Sequence, residues 1–251
     1  MGQQLGVLPI SATLDNMTFY KSKDGMRVKK QSKISKETID TSKAFERTRE
    51  NNSDFGTAGK AAQLVRAAFR GTMKDCKDYR VVSRLLKEMV KVVKADATNK
   101  RGKRNVLDGQ LGLLQDFNFN AKAPLVTVFN EDTPITIDRV TGAVQMHIQS
   151  FIPGEALVKP NDATHFKVLS AASALDFVNA KSVDVAYSTD YFPVDDTATG
   201  PIDIALQLPA NSNDPFIIVL GIQFFMVEHG VQYALRTHEF NALKIVGVDT
   251  V

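Results

Sequence analysis

The chain has one cysteine, no tryptophan and four histidines, and each scarcity removes a class of chemistry. A lone Cys76 can form neither an intrachain disulfide nor the thiolate cluster of a structural zinc site. It reads as a structural or surface thiol, with Lys74 and Lys77 close enough in sequence to pull its pKa down. His147, His165, His229 and His238 never fall into HxH or HxxxH spacing, so no metal centre is expected. Glu228-His229 and His238-Glu239 flank an expected hairpin, where the two histidines would converge. Glycines form no GxGxxG, GxxxxGK(S/T) or GxSxG pattern, which leaves nucleotide loops and nucleophile elbows without support. Asp195-Asp196 and Asn211–Asp214 lack the alternating oxygen ligands of a calcium loop and read as turns. The sequence therefore predicts a protein that is not an enzyme and carries no cofactor.

Long apolar runs are absent too. A membrane helix needs about 18–20 apolar residues, and the best candidate, Pro215 to Val227, contains Gly221 and Gln223. The opening MGQQLG has neither the basic nor the apolar region of a secretory signal, and Gly6 stands where a myristoylation signal wants Ser or Thr. A cytoplasmic protein is expected, compatible with release inside a larger particle.

What the chain does carry is charge, unevenly distributed. The formal net charge is +3, but residues 1–110 hold 24 Lys/Arg against 12 Asp/Glu, while residues 111–251 hold 7 against 16. The halves are thus +12 and −9, an asymmetry that points to a polyanionic partner or to another copy of the same chain.

Residues 17–30 predict a β-hairpin with Asp24-Gly25 at the turn, which would pair Lys23 with Met26, Lys21 with Val28 and Phe19 with Lys30. Phe19, Met26 and Val28 then share one face, and Tyr20, Arg27 and Lys29 the other. Residues 31–56 are polar and read as extended or weakly helical. Ala61, Leu64, Val65, Ala68 and Phe69 follow a helical stripe ended by Gly71. A second helix, about Asp78 to Ala95, buries Val82, Leu85, Leu86, Met89 and Val93. Its opposite face carries Lys77, Arg80, Arg84, Lys87, Lys91 and Lys94 within roughly a 100° arc. A basic connector, Lys100-Arg101-Gly102-Lys103-Arg104, follows.

From Leu125 the period shifts to that of strands. Leu125–Phe129, Ile135–Val140, Ala143–Ile148, Phe166–Leu169, Val183–Tyr187, Ile202–Leu208, Phe216–Val227, Gln232–Arg236 and Leu243–Val248 are short runs separated by turn residues. Ala171 to Val178 reads as a short helix or irregular excursion. The fold class expected is α+β: a basic hairpin and two-helix region over residues 1–110, then an acidic antiparallel sandwich over 111–251, Ig-like or jelly-roll-like.

The candidate partner-binding face comprises Lys77, Arg80, Arg84, Lys87, Lys91, Lys94, Lys100, Arg101, Lys103, Arg104, Arg27, Lys29 and Lys30. Like charges four residues apart on a helix repel, so a one-sign stripe suggests a negative partner. One such partner is the acidic β half of a neighbouring copy, giving a head-to-tail contact that closes into a ring or propagates as a filament or lattice. The alternative is nucleic acid, bound without sequence preference because the helix lacks Asn, Gln and aromatic residues to read or stack on bases. A third reading is a sugar- or ligand-binding sandwich using Tyr187, Tyr191 and Phe192.

Three segments carry a resemblance. Phe19-Tyr20-Lys21 with Asp24-Gly25, then Phe45-Glu46-Arg47-Thr48-Arg49-Glu50-Asn51, then Phe55 with Ala58-Gly59-Lys60 resemble an uncharacterised family of Bacteroidota proteins. The similarity covers about the first 110 residues and, more loosely, Arg104–Leu114. It implies no activity and no site residues.

Overall fold

The computed structural model describes residues 2–3, 11–30, 34–235 and 239–250. Met1, the residues of MGQQLG from position 4 on, Arg236 and His238 lie outside them. The chain divides into two compact units, residues 1–52 and 53–251.

In the first unit, β1 (Gly2–Gln3), β2 (Thr13–Leu14), β3 (Met17–Ser22) and β4 (Gly25–Lys30) form an antiparallel sheet of order β1-β4-β3-β2. The hairpin exists, but its register differs from expectation: Ser22 pairs with Gly25, Lys21 with Met26 and Phe19 with Val28. Lys23 and Asp24 sit at the turn centre. Gly25 has positive φ and Asp24 does not; Ser22 and Gly25 flank the turn as the first and last residues of an ordinary type I turn do. The Ser22 hydroxyl donates to the Gly25 carbonyl (2.8 Å) and accepts from the Asp24 N–H (3.2 Å). A two-residue slip preserves strand parity, so Phe19, Met26 and Val28 still share a face. The sheet leads to α1 (Lys36–Thr41), capped by Ser35, and a 3-10 turn (Lys43–Phe45). The Arg49 guanidinium donates to the carbonyls of Ile39 (2.7 Å) and Ser42 (2.8 Å), closing the end of α1.

The described part of the polar stretch 31–56, residues 34–56, is more helical than its composition predicts, because α2 runs from Glu46 to Ala68. Glu46 suits its first turn and Arg47 pairs with Glu50 at 2.9 Å. The helix passes from the first unit into the second, where Ala58, Ala61, Ala62 and Val65 are buried.

The second unit continues with α3 (Val81–Lys94), a 3-10 turn (Leu111–Leu114), α4 (Leu125–Val128), β5 (Ile135–Asp138), β6 (Ala143–Ile148), α5 (Pro153–Ala156), β7 (His165–Asp176), β8 (Lys181–Ser188), β9 (Phe192–Pro193), β10 (Ile202–Gln207), β11 (Phe216–Glu228), β12 (Val231–Ala234) and β13 (Ala242–Asp249). A three-stranded antiparallel sheet, β10-β6-β5, faces a six-stranded one, β12-β11-β7-β8 with β13 on β11 and β9 on β7. The sandwich expected of the C-terminal half is present, with helices added as a third layer. Along β11, Phe216, Ile218, Leu220, Ile222 and Phe224 meet the three-stranded sheet, while Ile217 and Val219 meet α2 and α3. A strand covered on both faces loses the apolar–polar alternation, which is why β11 reads as a continuous apolar run.

The division expected at 110/111 therefore falls inside the second unit. Leu85, Met89, Val92 and Val93 of α3 share one core with Ala171, Leu175, Leu243 and Ile245 of the sheet. Charge composition changes at that point in the chain, but packing does not. Three local expectations also give way. Residues 171–176 continue β7 instead of turning helical, since a strand between two layers accepts the small side chains Ala171, Ala172 and Ala174. Leu125–Val128 forms a single helical turn behind Pro124. Val82 is 51% exposed and Val81 is buried in its place, because α3 starts at Val81.

Candidate interaction surface

The cationic face predicted for α3 is smaller than the spacing suggested, and better defined. Lys77 precedes the helix and Arg80 is its N-cap residue. Arg80, Lys87, Lys91 and Lys94 are exposed, and Lys91 pairs with Glu88 at 2.6 Å. Arg84, at the edge of the arc nearest the core, turns inward. Its guanidinium donates to the Asp78 carboxylate (2.6 Å) and to the carbonyls of Asn118 (2.7 Å) and Phe119 (2.8 Å), lying 5.0 Å from the Phe117 ring centroid. Arg84 thus joins the helix start to residues 117–121 and does not belong to an outward face.

The connector 95–108 is held by its own acids. Asp96 accepts the N–H groups of Thr98 (2.9 Å), Asn99 (2.9 Å) and Asn105 (3.0 Å) and the Asn99 side-chain amide (3.0 Å). Asp54 of α2 accepts the Gly102 N–H at 2.9 Å, the Ser53 hydroxyl donates to the Gly102 carbonyl at 2.7 Å, and Arg104 lies 3.9 Å from Asp54. Arg104 is therefore mostly internal, whereas Lys100, Arg101 and Lys103 project from a fixed loop.

Burial by itself would raise the Asp96 carboxyl, but the donors of Asn99, Asn105 and Thr98 hold it down to about 2. Asp78 is likewise lowered against its burial, by the Ala121 N–H and by Arg84. A depressed folded-state pKa contributes stability that is complete above the unfolded value and is lost as pH falls through the folded one. Thermal unfolding midpoints should therefore drop between about pH 4 and pH 2, and Asp96→Asn should flatten that drop while lowering the midpoint at neutral pH.

No carboxylate between residues 70 and 103 is fully exposed. Asp78 and Asp96 are buried, Glu88 is half-buried against Lys91, and Asp75 is half-buried and accepts from Gln223 at 3.3 Å. The same segment exposes nine cations: Arg70, Lys74, Arg80, Lys87, Lys91, Lys94, Lys100, Arg101 and Lys103. Tyr79, overlooked in the helix pattern, is 80% exposed, with the Arg80 guanidinium 5.3 Å from its ring centroid. The sequence signal for it was an aromatic residue inside the helix expected from Asp78, beside Arg80 of the cationic stripe.

The hairpin cations lie in the other unit. Arg27 pairs with Asp24 at 3.1 Å, Lys29 stands 5.5 Å from the Tyr20 ring centroid, and Lys30 is exposed. The remaining candidates are dispersed. His147 meets Asp203 at 2.6 Å on the open face of the three-stranded sheet, and His229 is exposed at the β11–β12 turn. Phe192 stacks on Phe166 in the core, Tyr187 packs against it, and Tyr191 lies edge-on to Phe225 under the Lys167 ammonium at 4.0 Å. Tyr187 and Phe192 therefore pack on the core, and Tyr191 alone of the three is exposed.

Cys76 is fully buried, and that burial, with the negative charge of Asp75 adding to it, pushes the thiol up to about 12. This reverses the lowering expected from Lys74 and Lys77. Thiol reagents should leave the native protein unmodified and label it stoichiometrically only in denaturant.

Among the described residues no group of three or more His, Cys, Asp or Glu side chains is arranged to hold a metal ion, and no helix is long and apolar enough to cross a membrane. No protein-family model, curated protein or solved structure matches the chain.

Proposed function

We propose that the chain is a non-enzymatic structural subunit of the cytoplasm that self-associates head-to-tail, its N-terminal unit docking on the acidic β surface of the next copy. The observation that supports this reading is a folded sheet without a core: no described residue of 1–52 is buried. Leu14 and Met17 are more than half exposed, and Phe19, Met26 and Val28 are only half-covered. A small sheet in this condition is marginal in water. Covering each such side chain contributes about 1.5–3 kcal/mol, enough for a few of them to stabilise both the sheet and a contact. The unit also holds ten Lys/Arg against six Asp/Glu, opposite in sign to residues 111–251. A heterologous contact of this kind builds rings, filaments or lattices.

Phe19→Glu/Val28→Glu in the full chain should abolish association in sedimentation velocity while leaving the thermal midpoint of the second unit unchanged. Assembly that survives both charges would refute the docking role of this sheet.

A second reading, nucleic-acid binding without sequence preference, is supported by the predominantly cationic exposed surface of residues 70–103. It predicts that DNA or RNA affinity falls steeply between about 50 and 200 mM salt.

A further inference from the structure

We infer that the surface of residues 70–103 is a track for single-stranded nucleic acid with Tyr79 as its base-stacking platform, an inference that rests on the second reading and names its ligand.

The first argument is electrostatic. Solvated helix faces ordinarily mix signs, because like charges at i, i+4 cost a few tenths of a kcal/mol each. Here Asp78 and Asp96 are buried, held by Arg84 and the Asn99 turn, while the half-buried Glu88 and Asp75 meet Lys91 and Gln223. The fully exposed charges that remain are all positive, with Lys91 offset by Glu88. The charge of the sequence, eleven Lys/Arg against four Asp/Glu over this stretch, understates the charge that a partner meets.

The second argument is the position of Tyr79. An aromatic ring 80% exposed beside a guanidinium offers both groups a nucleotide needs, a π-face for the base and a cation for the phosphate. An acidic protein surface would use the cations and leave the ring idle. Stacking also requires an unpaired base, which selects single strands over duplex.

The third argument is that both ends of the track are fixed. Tyr79 and Arg80 precede α3, whose first turn is tied down by Arg84 and Asp78. Lys100, Arg101 and Lys103 follow it, on a loop tied to Asp54 and Asp96. The fourteen residues of α3 separate the two groups by about 20 Å, with Lys87 and Lys94 between them. A preordered track of this length spans several nucleotides and loses little entropy on binding. α3 has no Asn or Gln to read base edges, so the preference is for strandedness and not for sequence.

Fluorescence anisotropy of the intact protein with a labelled oligothymidylate of roughly twenty nucleotides, its duplex with oligoadenylate, and heparin tests this. At about 50 mM salt the single strand should bind more tightly than the duplex, and binding should weaken at least roughly tenfold by 200 mM. Tyr79→Ala should weaken the oligothymidylate about fivefold or more, leave heparin within about twofold, and be rescued by Tyr79→Phe. Lys87→Glu/Lys94→Glu should weaken both polyanions at least roughly tenfold at an unchanged thermal midpoint. Equal binding of strand and duplex with no effect of Tyr79→Ala would overturn the stacking track while leaving the second reading intact. No binding of any polynucleotide at low salt would overturn both. A Lys87→Glu/Lys94→Glu protein that keeps its oligothymidylate affinity but no longer self-associates would assign the surface to a second copy instead.

Discussion

Arg84→Ala is expected to lower the midpoint of thermal unfolding by about 10 °C, reflecting a loss of about 3 kcal/mol. The guanidinium forms three hydrogen bonds, at 2.6, 2.7 and 2.8 Å, which join the α3 start to the Asn118–Phe119 backbone. Truncation would leave the Asp78 carboxylate buried without its cation and remove the guanidinium donor from the Asn118 and Phe119 carbonyls, the latter keeping only the Asp78 N–H at 3.2 Å. Asp78 also accepts the N–H groups of Arg80 (2.7 Å) and Ala121 (2.8 Å), so its position depends on more than Arg84, but its charge has no other neutralising partner in that network. Arg84→Lys keeps the charge but cannot bridge carboxylate and carbonyls at once, and should recover less than half of the loss. By contrast Lys87→Ala, one turn further on at an exposed position, should shift the midpoint hardly at all. The pair separates an internal cation from a surface one on the same helix.

Gly221→Ala should be at least as damaging, costing about 3 kcal/mol or more and reducing soluble yield. A Cβ at this position would lie 2.4 Å from the Ala242 carbonyl oxygen and 2.9 Å from Leu243 Cδ1. Gly221 is paired on both sides, with Leu169 of β7 and Leu243 of β13, so neither neighbour can withdraw without opening a ladder. Gly56→Ala is the matched control: nothing lies within 4 Å of its would-be Cβ, and it sits within α2. There the substitution should stabilise by about 0.5–1 kcal/mol through helix propensity. Urea unfolding of the two variants checks both signs.

The legible parts of the fold were those where local pattern and final environment agree. α3 was read from its apolar stripe because Leu85, Met89 and Val93 of that stripe are what it buries, with Val81 and Val92 taking the places expected of Val82 and Leu86. β6 and β10 alternate cleanly because one face of the three-stranded sheet is open. Where environment overrides pattern, the sequence misleads. Ala171 to Ala174 has the composition of a helix but lies in a strand, because β7 is paired with β11 and β8 there and covered on both faces. The first turns of α2 are polar throughout, and their helicity is extended from a packed C-terminal half. The candidate surface was legible in sign and location only. That Arg84 and Arg104 turn inward, and that no acid between residues 70 and 103 is fully exposed, depends on contacts such as Arg84 with Phe119 and Asp54 with Gly102, remote in sequence. Tyr79 went unread because the helix expected from Asp78 was read only for its apolar and cationic stripes, whereas α3 begins at Val81 and leaves the ring exposed ahead of it.

The same comparison explains why the charge division and the structural division disagree. Lys and Arg gather on α3 and its loop because those surfaces face outward, while the inner side of α3 belongs to the core of the β half. The structural division separates residues 1–52, in which no described residue is buried.

The most direct test of the account is sedimentation velocity of the intact chain across a concentration series up to about 100 µM. Self-association predicts a weight-average mass that climbs with concentration above the 27.6 kDa of one chain, and a chain beginning at Ser53 that stays monomeric throughout. A single species of one-chain mass at every concentration, with or without residues 1–52, would contradict it.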